Sequence, residues 1–176
     1  MPSAQPENPQ QLLVKMTTIL DRLKIPYLVS GGMSVLIWGR PRFTADIDII
    51  VELETKDIRS LAKALTSLTK HSYVNEDTIA QALVNKGEFN YLDPNLGLKV
   101  DFWLFQNTAF DKSRFERRVG RKILGKTVYF SSPEDLILIK LAWYQQSQST
   151  RHLEDIESII AISGKKLDKK YLETWS

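Results

Sequence analysis

The chain has 176 residues, 43% of them hydrophobic, which suits one domain, or one domain with a small helical appendage, around a sizeable core. Its 24 Lys and Arg against 21 Asp and Glu leave a net charge of +3, too weak to demand a nucleic-acid partner or to exclude one. There is no cysteine and only two histidines, His71 and His152, so disulfides and thiolate metal sites are excluded and a structural zinc site lacks ligands.

Residues 1–9 lack the basic and apolar regions of a signal peptide and read as a disordered lead-in. No apolar stretch is long enough to span a membrane, so no membrane association and a cytoplasmic location are expected. From 10 to 24, Leu12, Leu13, Met16, Ile19, Leu20 and Leu23 recur at helical spacing, and Pro26 stops the helix. Tyr27-Leu28-Val29 is a short buried strand running into Gly31-Gly32, and a helix through Val35, Leu36 and Trp38 follows, closed by Gly39 and Pro41. Residues 45–52 form the second strand. Thr55 is a candidate cap for a helix through Ile58, Leu61, Leu65 and Leu68, and a further helical segment is expected near 78–86. Two strands, 88–92 and 98–105, flank the turn Asp93-Pro94-Asn95-Leu96-Gly97 as an antiparallel hairpin. A helix is expected over 110–118, then two short strands around Gly125-Lys126.

The last third changes character. Ser132-Pro133-Glu134-Asp135 is a strong helix start, with a serine cap, proline in the first turn and acids beside the positive end of the dipole. That helix runs to about Gln146. Thr150 is expected to cap a second one through Leu153, Ile156, Ile159 and Ile160, ended by Gly164, and the two should form an antiparallel pair. The expected organisation is a lead-in (1–9), an α/β core of the α+β type with a mixed sheet flanked by helices (10–131), and a helical segment packed on it (132–176).

The chemistry concentrates in Arg42-Phe43-Thr44-Ala45-Asp46-Ile47-Asp48-Ile49-Ile50-Val51. Strand side chains alternate, so Asp46 and Asp48 share one face while Ile47, Ile49 and Val51 point into a core. Two carboxylates on one face repel unless a cation lies between them. Asp101, in the otherwise apolar run Leu98-Lys99-Val100-Asp101-Phe102-Trp103, supplies a third acid from another strand. Hard oxygen ligands of this kind suit magnesium, or manganese in its place, and polymerase-type phosphoryl chemistry uses such ions. Gly31-Gly32, between a strand and a helix N-terminus, would let backbone amides approach a triphosphate, with Ser30 or Ser34 as hydroxyl donors. Arg42 and Thr44 lie on the approach, Arg42 towards a phosphate and Thr44 towards the loop.

A glycine pair, a gap of thirteen residues, Asp-apolar-Asp and a later strand aspartate resemble the signature of the polymerase-beta-like nucleotidyltransferase superfamily. Arg42-x-Thr44-x-Asp46-Ile47-Asp48 is most similar to a bacterial branch that includes toxin-like nucleotidyltransferases of abortive-infection systems. The resemblance covers roughly residues 25–160. It implies a nucleotidyltransferase fold and magnesium-dependent transfer of a nucleoside monophosphate from a triphosphate such as ATP to a hydroxyl, with release of pyrophosphate. It further implies that Asp46, Asp48 and Asp101 bind metal and carry catalysis, that Lys140 contacts the triphosphate, and that Asp155, in Arg151-His152-Leu153-Glu154-Asp155, lies at the cleft. Position 32, often serine in that family, is glycine here, and the larger C-terminal lobe of some toxin-like members is reduced. The acceptor is open among RNA, protein and a small molecule of the antibiotic type, with RNA or protein favoured and an antitoxin-type partner a further expectation. A non-catalytic nucleotide-binding or partner-binding module is the competing class.

Plainer readings stand beside these. Asp101 can be an edge-strand acid paired to Lys99 or to an arginine, although its order and spacing favour the metal role. Lys140 can snorkel from an apolar helix. Arg151 and Asp155, four apart, read more simply as a helix-surface pair and His152 as a surface residue. The run Arg114, Arg117, Arg118, Arg121, Lys122, Lys126 reads as a solvated face before it reads as a landing site for a polyanion. Trp38, Trp103, Trp143 and Tyr144 are expected mostly in the core, although Trp103 shares a strand face with Asp101 and is the one that could stack a base, with packing the plainer assignment.

Overall fold

The structure, a computed structural model, describes residues 8–68 and 74–176. Asn8 opens it with a capping box: its carboxamide oxygen accepts from the Gln11 amide at 2.9 Å, and Gln11 returns the bond to the Asn8 N–H at 2.8 Å. The first helix, α1 (Pro9–Arg22), therefore begins inside the stretch expected as lead-in, at a proline suited to a first helical turn. Residues 1–7 of that stretch lie outside the described residues, as does His71.

Six strands among the described residues form one mixed sheet: β1 (Tyr27–Ser30), β2 (Asp46–Val51), β3 (Glu88–Asp93), β4 (Leu98–Leu104), β5 (Val119–Ile123) and β6 (Lys126–Phe130), in the order β3-β4-β2-β1-β6-β5. The pairs β1/β2, β3/β4 and β5/β6 are antiparallel, whereas β2/β4 and β1/β6 are parallel. Both expected hairpins are present. The parallel β2/β4 pairing makes the site, because it sets Asp48 in register with Asp101.

The two faces of the sheet differ because each strand alternates. On one face Val29, Ile47, Ile49, Val100, Phe102, Phe89 and Tyr91 join the buried residues of α1, α3 (Ile58–Thr66) and α4 (Glu76–Asn85) in the main core. Phe89 and Phe102 stack there at 4.9 Å. On the other face Leu28 and Ile50, which are cross-strand partners, pack with Phe115 of α5 (Ala109–Glu116). Next to that apolar half the same face turns polar, with Ser30 opposite Asp48 and Asp46 two residues before it.

Some boundaries move from expectation. A 3-10 turn at Thr55–Asp57, capped by Glu54, precedes α3, so Thr55 is not the cap. Ser149, not Thr150, stands at the N-cap of α7 (Thr150–Ser163). The helix α6 (Pro133–Ser147) begins where the sequence places it, with the Ser132 hydroxyl accepting from the Asp135 amide at 3.1 Å. Val35 of α2 (Gly31–Trp38) packs with Leu136 and Ile137 of α6 and Ile156 and Ile159 of α7 in a second apolar cluster. A last helix, α8 (Lys169–Trp175), follows a 3-10 turn at Gly164–Lys166 and carries Leu172 to the edge of that cluster.

Candidate active site

The turn from β1 into α2 is built around two glycines that neighbouring side chains require. Gly31 has φ +59, and a Cβ there would run into the Asp48 carboxylate. A Cβ on Gly32 would run into the Thr44 hydroxyl, with an Arg42 guanidinium nitrogen 3.4 Å away. The glycine pair is thus the surface against which Asp48, Thr44 and Arg42 are packed. Ser30, opposite Asp48 in the ladder, has its hydroxyl buried with no hydrogen-bond partner among the described residues.

Asp46, Asp48 and Asp101 share the polar face, as their spacing and register require. They do not converge: among the described residues no three acidic or histidine side chains are placed to hold an ion together. Asp101, 6% exposed, is bound through Oδ2 to the Lys99 ammonium at 2.9 Å. The Asp101 bond raises the Lys99 pKa above its ordinary value. Asp48 accepts from the indole Nε1 of Trp103 at 3.3 Å. Burial pushes the Asp48 carboxyl up, and the nearby Asp101 and Asp46 push the same way, while Trp103 and Lys140 oppose them. Trp103 is the correction here: it is 38% exposed on the acid face instead of packed in the core. Trp38, Trp143 and Tyr144 are half-buried.

A cleft of about 220 Å³ opens beside Asp46 and Asp48 and is lined by Gly32, Arg42, Thr44, Lys140 and Asp155 as well. Ser30, Gly31 and Asp101 lie next to it without lining it. Smaller than the usual ligand site, which runs from roughly 300 Å³, it suits the polar part of a ligand. Asp155, 2% exposed, accepts a forked pair from Arg42 (Nε at 2.6 Å, Nη2 at 2.8 Å) and an ion pair from Lys140 at 2.7 Å. Burial pushes the Asp155 carboxyl up, but those two cations outweigh it and hold it below the ordinary carboxylate range. Burial pulls Lys140 down against the attraction of Asp155. Lys140 is therefore no snorkelling lysine: it is 3% exposed and points at the cleft.

The expected Arg151–Asp155 surface pair is not formed. Arg151 instead donates to the Phe43 carbonyl at 3.3 Å, across 108 positions of sequence. His152 is half-buried and tilted against Trp143 at 5.7 Å, and burial pulls its pKa down. The basic run is largely consumed internally. Arg114 is buried on Asp111 at 2.8 Å, Arg117 binds Glu134 at 3.0 Å and covers the Tyr171 ring at 3.8 Å, and Lys126 pairs with Asp21. Arg121 and Lys122, on the edge strand β5, stay exposed and make no ion pair among the described residues.

No protein-family model and no curated protein matches the sequence. Solved structures match its fold. An antigenic nucleotidyltransferase-like protein from Paracoccidioides brasiliensis superposes with a TM-score of 0.58 at 21% identity, over 86% of this chain and 75% of that one. The antibiotic-resistance factor ANT(2'')-Ia gives 0.60 at 14% identity, over 94% and 88%. The lincosamide antibiotic adenylyltransferase LnuA gives 0.57 at 13% identity, over 90% and 99%. The chain shares the fold of these nucleotidyltransferase-like and adenylyltransferase structures.

Proposed function

We propose that this protein transfers a nucleoside monophosphate from a nucleoside triphosphate to a hydroxyl acceptor. The observation that carries the reading is Asp48. It stands in register with Asp101 on one polar sheet face, against a glycine turn too tight for any side chain, beside a cleft ringed by Arg42 and Lys140. The acceptor oxygen bonds to the α-phosphorus, the α–β bridging bond breaks, and pyrophosphate leaves with the electron pair. The hydroxyl proton passes to Asp101 or to water.

The donor set fits magnesium in its usual mode, one or two carboxylates with waters and substrate phosphates, rather than an all-protein cage. Asp46 and Asp48 would hold it, with Asp101 on the same sheet face as a third carboxylate beside them. When bound, the ion neutralises phosphate charge and orients the leaving group. Gly31 and Gly32 offer backbone approach to the triphosphate, and the orphaned Ser30 hydroxyl beside them is a group that a ligand or water would satisfy. Arg42 and Lys140 meet the phosphates. Asp155, with its oxygens already taken by those two cations, acts as a positioning residue and not as a nucleotide contact.

The acceptor favoured is RNA or protein, supported by the exposed cations of the edge strand β5, Lys122 and Arg121, the latter lying over the Trp38 ring at 4.7 Å with no carboxylate partner among the described residues. The test is labelled transfer from each triphosphate to RNA, to protein and to small hydroxyl acceptors. Asp48→Asn, nearly isosteric, should abolish transfer while leaving the melting curve intact. Full activity in that variant would remove the assignment.

A further inference from the structure

Phe43 sits 77% exposed between Arg42 and Thr44, the two residues packed against Gly32. An aromatic side chain so exposed is worth explaining when it borders a polar cleft. Of the large apolar side chains exposed among the described residues, Phe43 alone lines the cleft that also holds Asp46, Asp48 and Lys140. Val84 and Leu124 are not among its lining residues, and Trp103, 38% exposed on the acid face, is tied by its indole N–H to Asp48 without lining the cleft.

The loop beneath Phe43 is held, although it has no regular secondary structure. The Arg40 amide donates to the Ser158 hydroxyl at 2.5 Å, and Arg42 is forked onto the buried Asp155. The Phe43 carbonyl accepts from Arg42 at 3.0 Å and from Arg151 at 3.3 Å, and the Thr44 hydroxyl donates to the Asp46 carbonyl at 3.0 Å. The backbone is pinned on both sides while the ring is left in solvent. Ordering of this kind is entropy spent before a ligand arrives, and it lowers the cost of stacking a flat group on that ring.

We propose that Phe43 is the platform on which the base of the incoming nucleotide stacks, making it a residue that binds nucleoside triphosphates above bare polyphosphate. This rests on the nucleotidyltransferase reading of the cleft. A stack on a phenyl face has no hydrogen-bonding edge, so Phe43 favours bases over no base and adds little preference among the four. The charged groups Arg42 and Lys140 take the phosphates, which leaves the aromatic rim for the base.

The test measures binding of ATP, GTP, CTP, UTP and inorganic tripolyphosphate, each with magnesium, to the wild-type chain and to Phe43→Ala and Phe43→Tyr. Wild type should bind the four nucleotides more tightly than tripolyphosphate. Phe43→Ala should weaken all four by roughly tenfold, the size of one base–aromatic stack, with tripolyphosphate unchanged within about twofold. Phe43→Tyr should restore nucleotide binding. Because the ring is exposed, loss of folding will not mask the result. Nucleotide affinity unchanged in Phe43→Ala, or lost equally for tripolyphosphate, overturns the stack and leaves the phosphate site standing. A wild-type chain that binds neither nucleotide nor tripolyphosphate removes the proposed function itself, and the stack with it.

Discussion

At the scale of single residues, the site is a set of close approaches that leave no room for substitution. Gly31 combines a left-handed φ with contact to the Asp48 carboxylate, so Gly31→Ala pays twice. It should lose at least about 1–3 kcal/mol in denaturant titration and lose transfer activity more completely than stability, because Asp48 must move aside. Asp155 is the other sensitive position. Asp155→Ala strands the buried Lys140 ammonium without its counter-ion, at a cost near 3–5 kcal/mol for such a deletion. Asp155→Asn removes the same counter-charge at little change in volume; if Asp155 only positions Arg42 and Lys140, the folded variant should show a raised KM for nucleotide with a smaller change in kcat. A kcat loss matching that of Asp48→Asn would instead place Asp155 among the reacting groups. The acids Asp46, Asp48 and Asp101 were legible because period-two alternation assigns faces without any tertiary information. The Arg42–Asp155 fork was not, since it joins residues 113 positions apart. Nor was the Trp103–Asp48 bond, whose 55-residue separation hides it behind the usual inward preference of tryptophan.

At the scale of elements, α8 and its anchor show where local reading stopped short. Glu134 and Asp135 fit the helix-dipole rule, yet both are buried and hold other elements together. Glu134 accepts from Arg117 of the α5 end at 3.0 Å and from the Asp168 amide at 2.8 Å. Asp135 accepts from the Tyr171 hydroxyl at 2.6 Å, and that hydroxyl also bonds Ser113 at 2.8 Å. The C-terminal helix is thus docked by polar bonds onto the start of α6. Its sequence signals were present: Asp168 caps it, and Leu167, Tyr171 and Trp175 recur every four residues. They were weak because a seven-residue helix offers little periodicity. Tyr171→Phe removes both hydroxyl bonds and leaves Asp135 one donor short in a buried place. It should cost about 1–3 kcal/mol in urea unfolding, and amide exchange should rise first in α8. A variant as stable as wild type would show that the two Tyr171 hydroxyl bonds add nothing to the docking of α8.

At the scale of the whole molecule, stability couples to solution conditions through groups whose protonation differs between the folded and unfolded chain. Burial, with help from Asp21, pushes the Tyr27 phenol up to about 12, and burial with Asp135 does the same for Tyr171. An unfolded tyrosine ionises near pH 10, so above that value the unfolded chain releases protons the folded one retains. Stability is therefore complete below about pH 10 and falls as pH rises towards 12, by at most about 1.4 kcal/mol per pH unit for each phenol. Tyr27→Phe should flatten its share of that slope in melts between pH 9 and 12, values set by these two pKa positions. The order and mixed directions of the sheet were beyond reach of local pattern, because β2/β4 and β1/β6 join strands far apart in sequence. That same non-local pairing links the acids to the rest of the fold: a ligand seated on Asp48 bridges β2, the α2 turn and, through Lys140 and Asp155, the helices α6 and α7. Any ligand that binds only this folded cleft must stabilise all of it by mass action, about 2.7 kcal/mol at a hundred times its Kd. Saturating ATP with magnesium should accordingly raise the Tm of the wild type. It should raise that of Asp48→Asn far less, and tripolyphosphate with magnesium should give the wild type a smaller rise than ATP. A Tm that shifts equally in the wild type and in Asp48→Asn would mean that the nucleotide binds somewhere other than the acid cleft.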